Sequence, residues 1–138
     1  MRKSVLPLAL ATCIALLATG VTMAQSDTVL RAQVPFGFEA SGMTLPAGEY
    51  QIRWNLLNAT IELQGEDRKG ILLLANPAYD RNNKTPRLVF NRYGNKYFLS
   101  EIWTIYDTGR VLSISRHEKE LRAGAKVAAT TVAMRLAK

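Results

Sequence analysis

The sequence predicts an all-β fold, a small antiparallel β-barrel or sandwich of about seven or eight strands with one short C-terminal helix. Three observations predict it. Short runs of alternating apolar and polar residues, separated by turn signals, fill most of the chain. Two apolar runs flank Gly94-Asn95, which favours a long hairpin over residues 88–104. Ser115 and Glu118 have the spacing of a helix capping box.

The first 24 residues have the pattern of a secretory signal peptide. A basic start precedes an apolar run over Val5–Ala18, and small residues at 22–24 form a cleavage pattern. The apolar run is shorter than the roughly 20 residues of a membrane-spanning helix. We therefore predict export to the periplasm or the medium with cleavage after Ala24. Residues 25–138 then form a single β-barrel or sandwich domain, and the chain's one cysteine leaves with the signal.

The first half of the mature chain alternates in strand-like runs. Pro35 cannot donate to a ladder, so the first run is predicted to lie at an edge or to bend there. The last run, ILLLA, is apolar on both faces, as in a buried strand. The predicted strands cover Thr28–Phe38, Glu49–Trp54, Asn58–Gln64 and Gly70–Ala75.

The hairpin over residues 88–104 is predicted to be the centre of the fold. With Tyr93 opposite Lys96 in a regular register, Leu88 would lie opposite Glu101. Both faces are then apolar, which predicts that both are covered. One face carries Leu88, Phe90, Tyr97, Leu99 and Trp103, and the other carries Val89, Phe98 and Ile102.

The C-terminal segment begins with a turn at residues 107–109. The capping box then predicts a short helix over Arg116–Ala123, ended by Gly124. Residues 126–138 fit either a closing strand, which their β-branched residues favour, or a continuation of the helix with one apolar face. We favour the strand.

Charge is concentrated in this segment. The whole chain has a net charge of +7, and loss of the two basic residues of the signal leaves +5. Residues 110–138 carry seven basic side chains against two acidic ones. Such a basic segment can contact anionic lipid or polysaccharide, or can simply keep the protein in solution. We expect no nucleic-acid partner and no membrane-spanning segment in the mature chain.

The sequence shows no catalytic or metal-binding pattern. The single histidine, His117, lacks an orienting partner and a nucleophile in the sequence, which predicts an exposed helix residue. Glu118 and Glu120 are predicted to be solvated on the same helix. Loop 76–85 offers oxygen atoms but too few carboxylates for calcium. We predict no catalytic residue, no cofactor and no metal.

An aromatic and arginine set surrounds the hairpin, and such residues are enriched at binding hot spots. They also occur in the core and at the edges of ordinary β-domains. If a pocket exists, its expected place is the barrel mouth beside Trp54 and Trp103. The candidate ligand or partner surface comprises Trp54, Arg92, Tyr93, Tyr97, Trp103, Tyr106 and Arg110.

Four stretches of the chain carry a resemblance to known proteins. VPFGFEA at 34–40, LPAGEYQI at 45–52, LVFNRYGNKYFLSEIW at 88–103 and SRHEKEL at 115–121 together resemble an uncharacterised family of small secreted bacterial proteins common in soil bacteria. The resemblance covers most of residues 33–121. It implies a bacterial, exported protein that is periplasmic or extracellular, and it brings no known activity or cofactor.

These observations predict an exported, non-enzymatic β-domain that binds an apolar small molecule or an envelope component. The alternative is a surface-association protein that contacts anionic lipid or polysaccharide through its basic C-terminal segment. A hydrolase that uses Glu101 or His117 is the third hypothesis, and it requires both groups to converge in one cleft.

Overall fold

A computed structural model of the chain describes residues 28–55 and 60–137. The predicted signal peptide, residues 1–24, lies outside this range. The described residues form eleven strands and one helix. The elements are β1 (Thr28–Val34), β2 (Phe38–Ala40), β3 (Met43–Leu45), β4 (Gly48–Asn55), β5 (Thr60–Gly65), β6 (Gly70–Leu73), β7 (Ala75–Tyr79), β8 (Arg87–Tyr93), β9 (Lys96–Trp103), β10 (Thr108–Leu112), α1 (Arg116–Gly124) and β11 (Ala128–Leu136).

The strands build one curled, mixed sheet that has the form of a half-barrel. Its main path runs in the order β3-β2-β9-β8-β11-β1-β4-β5-β6, and β10 pairs with both β9 and β7. Neighbouring strands are antiparallel, except that β2 runs parallel to β9. Only Leu74 separates β6 from β7. One stretch of chain therefore pairs with β5 at its start and with β10 at its end.

The predicted all-β class with one short helix is confirmed, and the larger number of strands has local causes. The first run ends as a strand at Val34, just before Pro35, because proline has no N–H for the ladder. The segment after Pro35 adds the short hairpin of β2 and β3. The predicted loop 76–85 begins as a strand, since β7 runs from Ala75 to Tyr79. Thr108 and Gly109, predicted as part of a turn, begin β10.

The concave face of the half-barrel holds the core. Alternating residues of β1, β4 and β5 point into it as the sequence predicts. Fully buried aliphatic side chains fill the centre, and aromatic side chains from β2 and β8 pack edge to face beside them. The largest fully buried side chains of the core are Phe90, Leu30, Ile52, Ile61, Leu63, Leu73, Leu88, Ile102 and Val34.

The central hairpin forms at Gly94-Asn95, but its register changes partway along. Phe90 lies opposite Leu99 as predicted, whereas Leu88 lies opposite Ile102 because an irregularity follows Val89. One extra residue in β9 moves the following side chains to the other face of the sheet. The predicted faces of Ile102 and Trp103 are therefore wrong: Ile102 is in the core, and Trp103 is on the convex face.

Helix α1 covers part of the convex face and has the predicted start. The Ser115 hydroxyl accepts a hydrogen bond from the Glu118 amide at 3.1 Å, which caps the first turn. Glu118 itself is buried, with 4% of its surface exposed, so the prediction of a solvated carboxylate was wrong. Its Oε1 accepts from Asn91 Nδ2 at 2.8 Å and from the Tyr93 hydroxyl at 3.1 Å. Two hydrogen bonds compensate its burial.

The segment after α1 is a strand. β11 lies between β8 and β1 and pairs with both of them. Tertiary pairing therefore decides in favour of the strand, because both flanking strands would otherwise have an unpaired edge at this place. Within the described residues no helix is both long and apolar enough to cross a membrane.

Candidate ligand-binding site

Trp54 and Arg110 meet inside the half-barrel. Trp54 lies near the end of β4, and Arg110 lies at the centre of β10. These strands are not neighbours in the sheet, so the contact crosses the concave side. The Arg110 Cζ lies 4.9 Å from the centroid of the Trp54 indole. This distance is that of a cation–π contact.

Both side chains present buried donors that no atom of the described residues satisfies. Only 3% of the Trp54 surface is exposed. Within the described ranges neither Trp54 Nε1 nor Arg110 Nε has a hydrogen-bond partner, although both atoms are buried, and Arg31 Nε is a third such donor. An unpaired buried donor costs about 1–3 kcal/mol, more for a charged group. The chain therefore maintains an unfavourable arrangement at this place.

The same side of the sheet carries exposed residues beside this pair. Arg110 lies opposite Pro77 of β7, and Thr108 lies opposite Tyr79. Residues two apart on a strand share a face, so Pro77 and Tyr79 lie on the face of Arg110. Both are exposed, Tyr79 to 78%. We refer to Trp54, Arg110, Pro77 and Tyr79 as the concave site.

Trp103 belongs to a different surface. It lies on the convex face, where its Nε1 donates to Glu101 Oε2 at 2.6 Å. The Arg87 Cζ lies 5.5 Å from the Trp103 ring. Gly109 leaves room for that ring, because a Cβ at this position would lie 2.4 Å from the Trp103 Cε3. The register change in β9 places Trp103 on the convex face, whereas Trp54 lies on the concave face. The two tryptophans therefore do not line one pocket.

Three other candidates lie at the hairpin end of the sheet. The Tyr97 ring stacks on Phe36 with centroids 3.8 Å apart, and the Arg92 guanidinium lies 5.5 Å from Tyr97. Tyr93 is buried and donates to Glu118. Burial, together with the charge of Glu118, raises the pKa of the Tyr93 hydroxyl above its usual value of 10.0. The remaining candidate, Tyr106, is 69% exposed in the β9–β10 connection.

A second polar cluster joins β2 to α1, and no sequence pattern predicts it. Glu39 Oε2 lies 2.7 Å from His117 Nδ1, and Glu39 Oε1 accepts from the Ser115 hydroxyl at 3.0 Å. The His117 ring packs edge to face on Phe98 at 5.5 Å. The prediction that His117 is exposed is correct, yet the residue has an orienting carboxylate 78 positions away in sequence.

Glu39 and Glu49, which line two of the clefts near β3, are already paired. A cleft of about 200 Å³ lies beside His117 and Phe98. Both carboxylate oxygens of Glu39 have hydrogen-bond partners there. A larger one of about 600 Å³ lies between the β3–β4 and β5–β6 connections. Its Glu49 pairs with Arg31 and Arg135. Unpartnered donors are not confined to the concave site, because Arg31, which pairs with Glu49 through another nitrogen, also has a buried Nε without a hydrogen-bond partner among the described residues.

The groups of the hydrolase hypothesis have separate partners. Glu101 accepts from Trp103, whereas His117 contacts Glu39. Among the described side chains, no group of three or more His, Cys, Asp or Glu residues could hold a metal ion. The concave site instead offers hydrogen-bond donors, positive charge and aromatic surface, which suit binding.

Comparison with known proteins finds no match to this chain. Neither a protein-family model, nor a curated protein, nor a solved structure matches this chain. The resemblance to a family of small secreted bacterial proteins therefore stays a prediction.

Proposed function

We propose that the mature chain is an exported, non-enzymatic β-domain that binds an apolar small molecule at the concave site. The observation that supports it is the pair of buried N–H donors of Trp54 and Arg110, which lack partners inside the half-barrel. Buried donors are nearly always satisfied in native proteins, so unpartnered donors favour an acceptor from outside the chain.

The surroundings of the pair favour an apolar ligand body. Trp54 lies opposite Ile61, and Ile61 lies opposite Leu73, both with 0% of their surface exposed. The floor of the site is therefore apolar and filled. Pro77 and Tyr79 supply exposed apolar surface on the same face. A ligand that covers them gains about 25 cal/mol for each Å² of apolar surface removed from water.

Fluorescence titration with N-phenyl-1-naphthylamine, a neutral apolar probe, tests the proposal. We expect a saturable rise in probe fluorescence with the wild-type protein. Tyr79→Ser should weaken probe binding about three- to tenfold, since it removes an aromatic contact of the site. Tyr106→Ser is the matched control, because Tyr106 is similarly exposed but lies outside the site. A probe that does not bind, or equal losses in both variants, would contradict the proposal.

A second function is supported by the exposed face of α1. Arg116, Lys119 and Arg122 are exposed on α1, and Lys126 is exposed just after it, with Glu120 as the partner of Arg116 at 3.4 Å. Arg110 does not belong to this surface, because it lies in the concave site. These four side chains therefore supply exposed positive charge for contact with anionic lipid or polysaccharide.

Sedimentation with phosphatidylglycerol vesicles tests this alternative. Binding should weaken as ionic strength rises, because salt screens exposed charges over about 8–10 Å. Replacing Arg116, Lys119, Arg122 and Lys126 by glutamine should abolish it. Binding that persists at high salt, or in this variant, counts against surface association.

A further inference from the structure

We infer that the cleft between β3 and β6 binds an extended peptide segment of a partner protein, whose backbone pairs with the open edge of β3 and whose lysine or arginine side chain lies beside Glu66. This cleft is separate from the concave site, so the inference goes beyond the proposed function and does not depend on it. It starts from the two ends of the sheet, which line the same cleft.

β3 and β6 are the two ends of the main path of the sheet. Among the described residues β3 pairs only with β2, and β6 pairs only with β5. Each therefore has one edge whose backbone N–H and C=O groups lack a partner strand. All three residues of β3, together with Ile71 of β6, line the cleft of about 600 Å³. The curled sheet thus leaves an opening between its end strands, and this opening has the volume of a ligand-binding site, about 300–1,000 Å³.

Neither end strand carries the charged residues or prolines that often protect an open edge. Met43 of β3 is 51% exposed. An open edge beside a cleft favours the addition of a strand, a mode in which the peptide backbone supplies affinity and alternate side chains enter pockets. Three residues of β3 extend over about 10 Å, so a peptide of about five residues covers this edge.

The lining of the cleft defines the side chains of the peptide. Leu45, Ile71 and the buried Tyr50 give the cleft an apolar wall. Glu66 is exposed at the β5–β6 connection, where it accepts a hydrogen bond from the Glu49 amide at 3.3 Å. No basic side chain within the described ranges pairs with the Glu66 carboxylate. A segment that alternates apolar residues with a lysine or arginine complements both parts of the lining.

Glu66 is the carboxylate of the cleft that is left to bind a cation. The other two carboxylates, those of Glu49 and Asp67, already have basic partners. Burial, together with the charges of Asp67 and Glu66, raises the pKa of the Tyr50 hydroxyl above its usual value of 10.0. The negative charge therefore reaches the floor of the cleft, where it attracts a basic side chain and repels an acidic one.

Hydrogen bonds within the chain hold both sides of the cleft in place. The Tyr50 hydroxyl donates to the Pro46 carbonyl at 2.6 Å, which fixes the β3–β4 connection. The Arg68 amide donates to the Gly65 carbonyl at 3.0 Å, which closes the β5–β6 turn. A site that is already formed keeps the cost of ordering the protein on binding small.

Calorimetric titration with three acetylated peptide amides tests the inference. VKVTV has one basic residue between apolar ones, VEVTV has an acidic residue in its place, and the third peptide is VKVTV with every backbone amide N-methylated. Wild-type protein should bind VKVTV about five- to tenfold more tightly than VEVTV, as expected when one exposed charge contact changes from attraction to repulsion. The N-methylated peptide should not bind, because it has no backbone donors for an open edge.

Glu66→Gln should reduce the preference for VKVTV to about twofold or less. Glu62→Gln is the matched control, because it removes the same charge from β5 outside the cleft, and it should keep the full preference. Tyr79→Ser, a change in the concave site, should leave peptide binding unaltered. A failure of the inference is therefore distinguishable from a failure of the proposed function.

The inference is overturned if VKVTV does not bind, if the N-methylated peptide binds as tightly, or if Glu66→Gln keeps the full preference. Butylamine that binds as tightly as VKVTV overturns it in favour of a small cation as the occupant. Sedimentation equilibrium tests a second copy of this chain. A dimer that dissociates as VKVTV is added would assign the cleft to that copy and overturn the inference as well.

Discussion

Two arginine–tryptophan pairs lie in this sheet, and they differ in what their polar atoms contact. On the convex face, Trp103 Nε1 donates to Glu101, and Arg87 donates to Asn83 Oδ1. On the concave face, Trp54 Nε1 and Arg110 Nε have no hydrogen-bond partner in the part of the chain that the structure describes. The ring contacts themselves are similar, at 5.5 Å and 4.9 Å.

The difference separates a structural pair from a binding pair. The convex pair is part of a network that ties the β7–β8 connection to the β9–β10 connection, because Asn83 Nδ2 donates to the Thr104 carbonyl at 3.2 Å. These hydrogen bonds stabilise the fold at this place. The concave pair has donors that the fold does not use. Such local inconsistencies in an otherwise consistent structure are expected at functional sites.

The largest expected effect comes from disturbing the convex pair through Gly109. In Gly109→Ala the new Cβ would overlap the Trp103 ring, with three ring atoms within 2.7 Å. The ring must then shift, and Glu101 loses its hydrogen bond from Nε1. We expect the free energy of unfolding to fall by about 2–3 kcal/mol, as in other overpacked sites. Urea denaturation followed by circular dichroism measures this change.

Gly124→Ala is the control for this substitution. Gly124 ends α1, and a Cβ there would have nothing within 4 Å. The same change of residue should leave stability within about 0.5 kcal/mol, or raise it slightly by reducing the entropy of the unfolded chain. Equal losses at both positions would show that the space around Trp103 is not the cause.

Replacing Arg87 and Arg110 tests the difference between the convex and the concave pair. Arg87→Gln removes the contacts with Asn83 and Asp80, so the free energy of unfolding should fall by about 1–2 kcal/mol. Arg110→Gln removes an unpaired buried donor together with the cation–π contact to Trp54, and these effects oppose each other, so stability should change by less than about 1 kcal/mol. Denaturation of both variants in parallel measures the difference. A larger loss in Arg110→Gln than in Arg87→Gln would reverse the assigned roles.

Local patterns were sufficient to predict much of this fold. Alternation predicts β1, β4 and β5, Gly94-Asn95 predicts the hairpin turn, and Ser115 predicts the start of α1. These features depend on neighbours in sequence and on turn chemistry. The irregularity after Val89 could not be predicted, because the register of a hairpin counted from its turn assumes that no residue is added. That single residue exchanges the faces of Ile102 and Trp103.

The site was predicted only in part, for a related reason. Trp54 and Arg110 were both in the predicted surface, but their contact depends on the curl of the sheet, which brings β4 and β10 together across the concave side. Tyr79 was missed because its segment resembled a loop. Glu39 and His117 are 78 positions apart, and no local pattern connects them.

The smallest expected effect comes from the Tyr93 hydroxyl, a buried polar group that has a hydrogen-bond partner in the fold. It donates to Glu118 Oε1 at 3.1 Å. Tyr93→Phe should lower the free energy of unfolding by about 1 kcal/mol at neutral pH, since Glu118 keeps its bond from Asn91. The effect should also depend on pH, because burial and the charge of Glu118 raise the pKa of Tyr93 in the folded protein.

The direction of this dependence follows from proton linkage. Near pH 10 and above, the unfolded chain loses the Tyr93 proton before the folded protein does, so stability falls as pH rises through the raised pKa. Below pH 10 the contribution is fully present. Tyr93→Phe should therefore show a smaller alkaline loss than wild type, and Tyr106→Phe, at an exposed site, should match wild type. Denaturation midpoints measured from pH 8 to pH 11 test this prediction. Identical alkaline slopes in wild type and Tyr93→Phe would mean that Tyr93 is not held protonated by its burial beside Glu118.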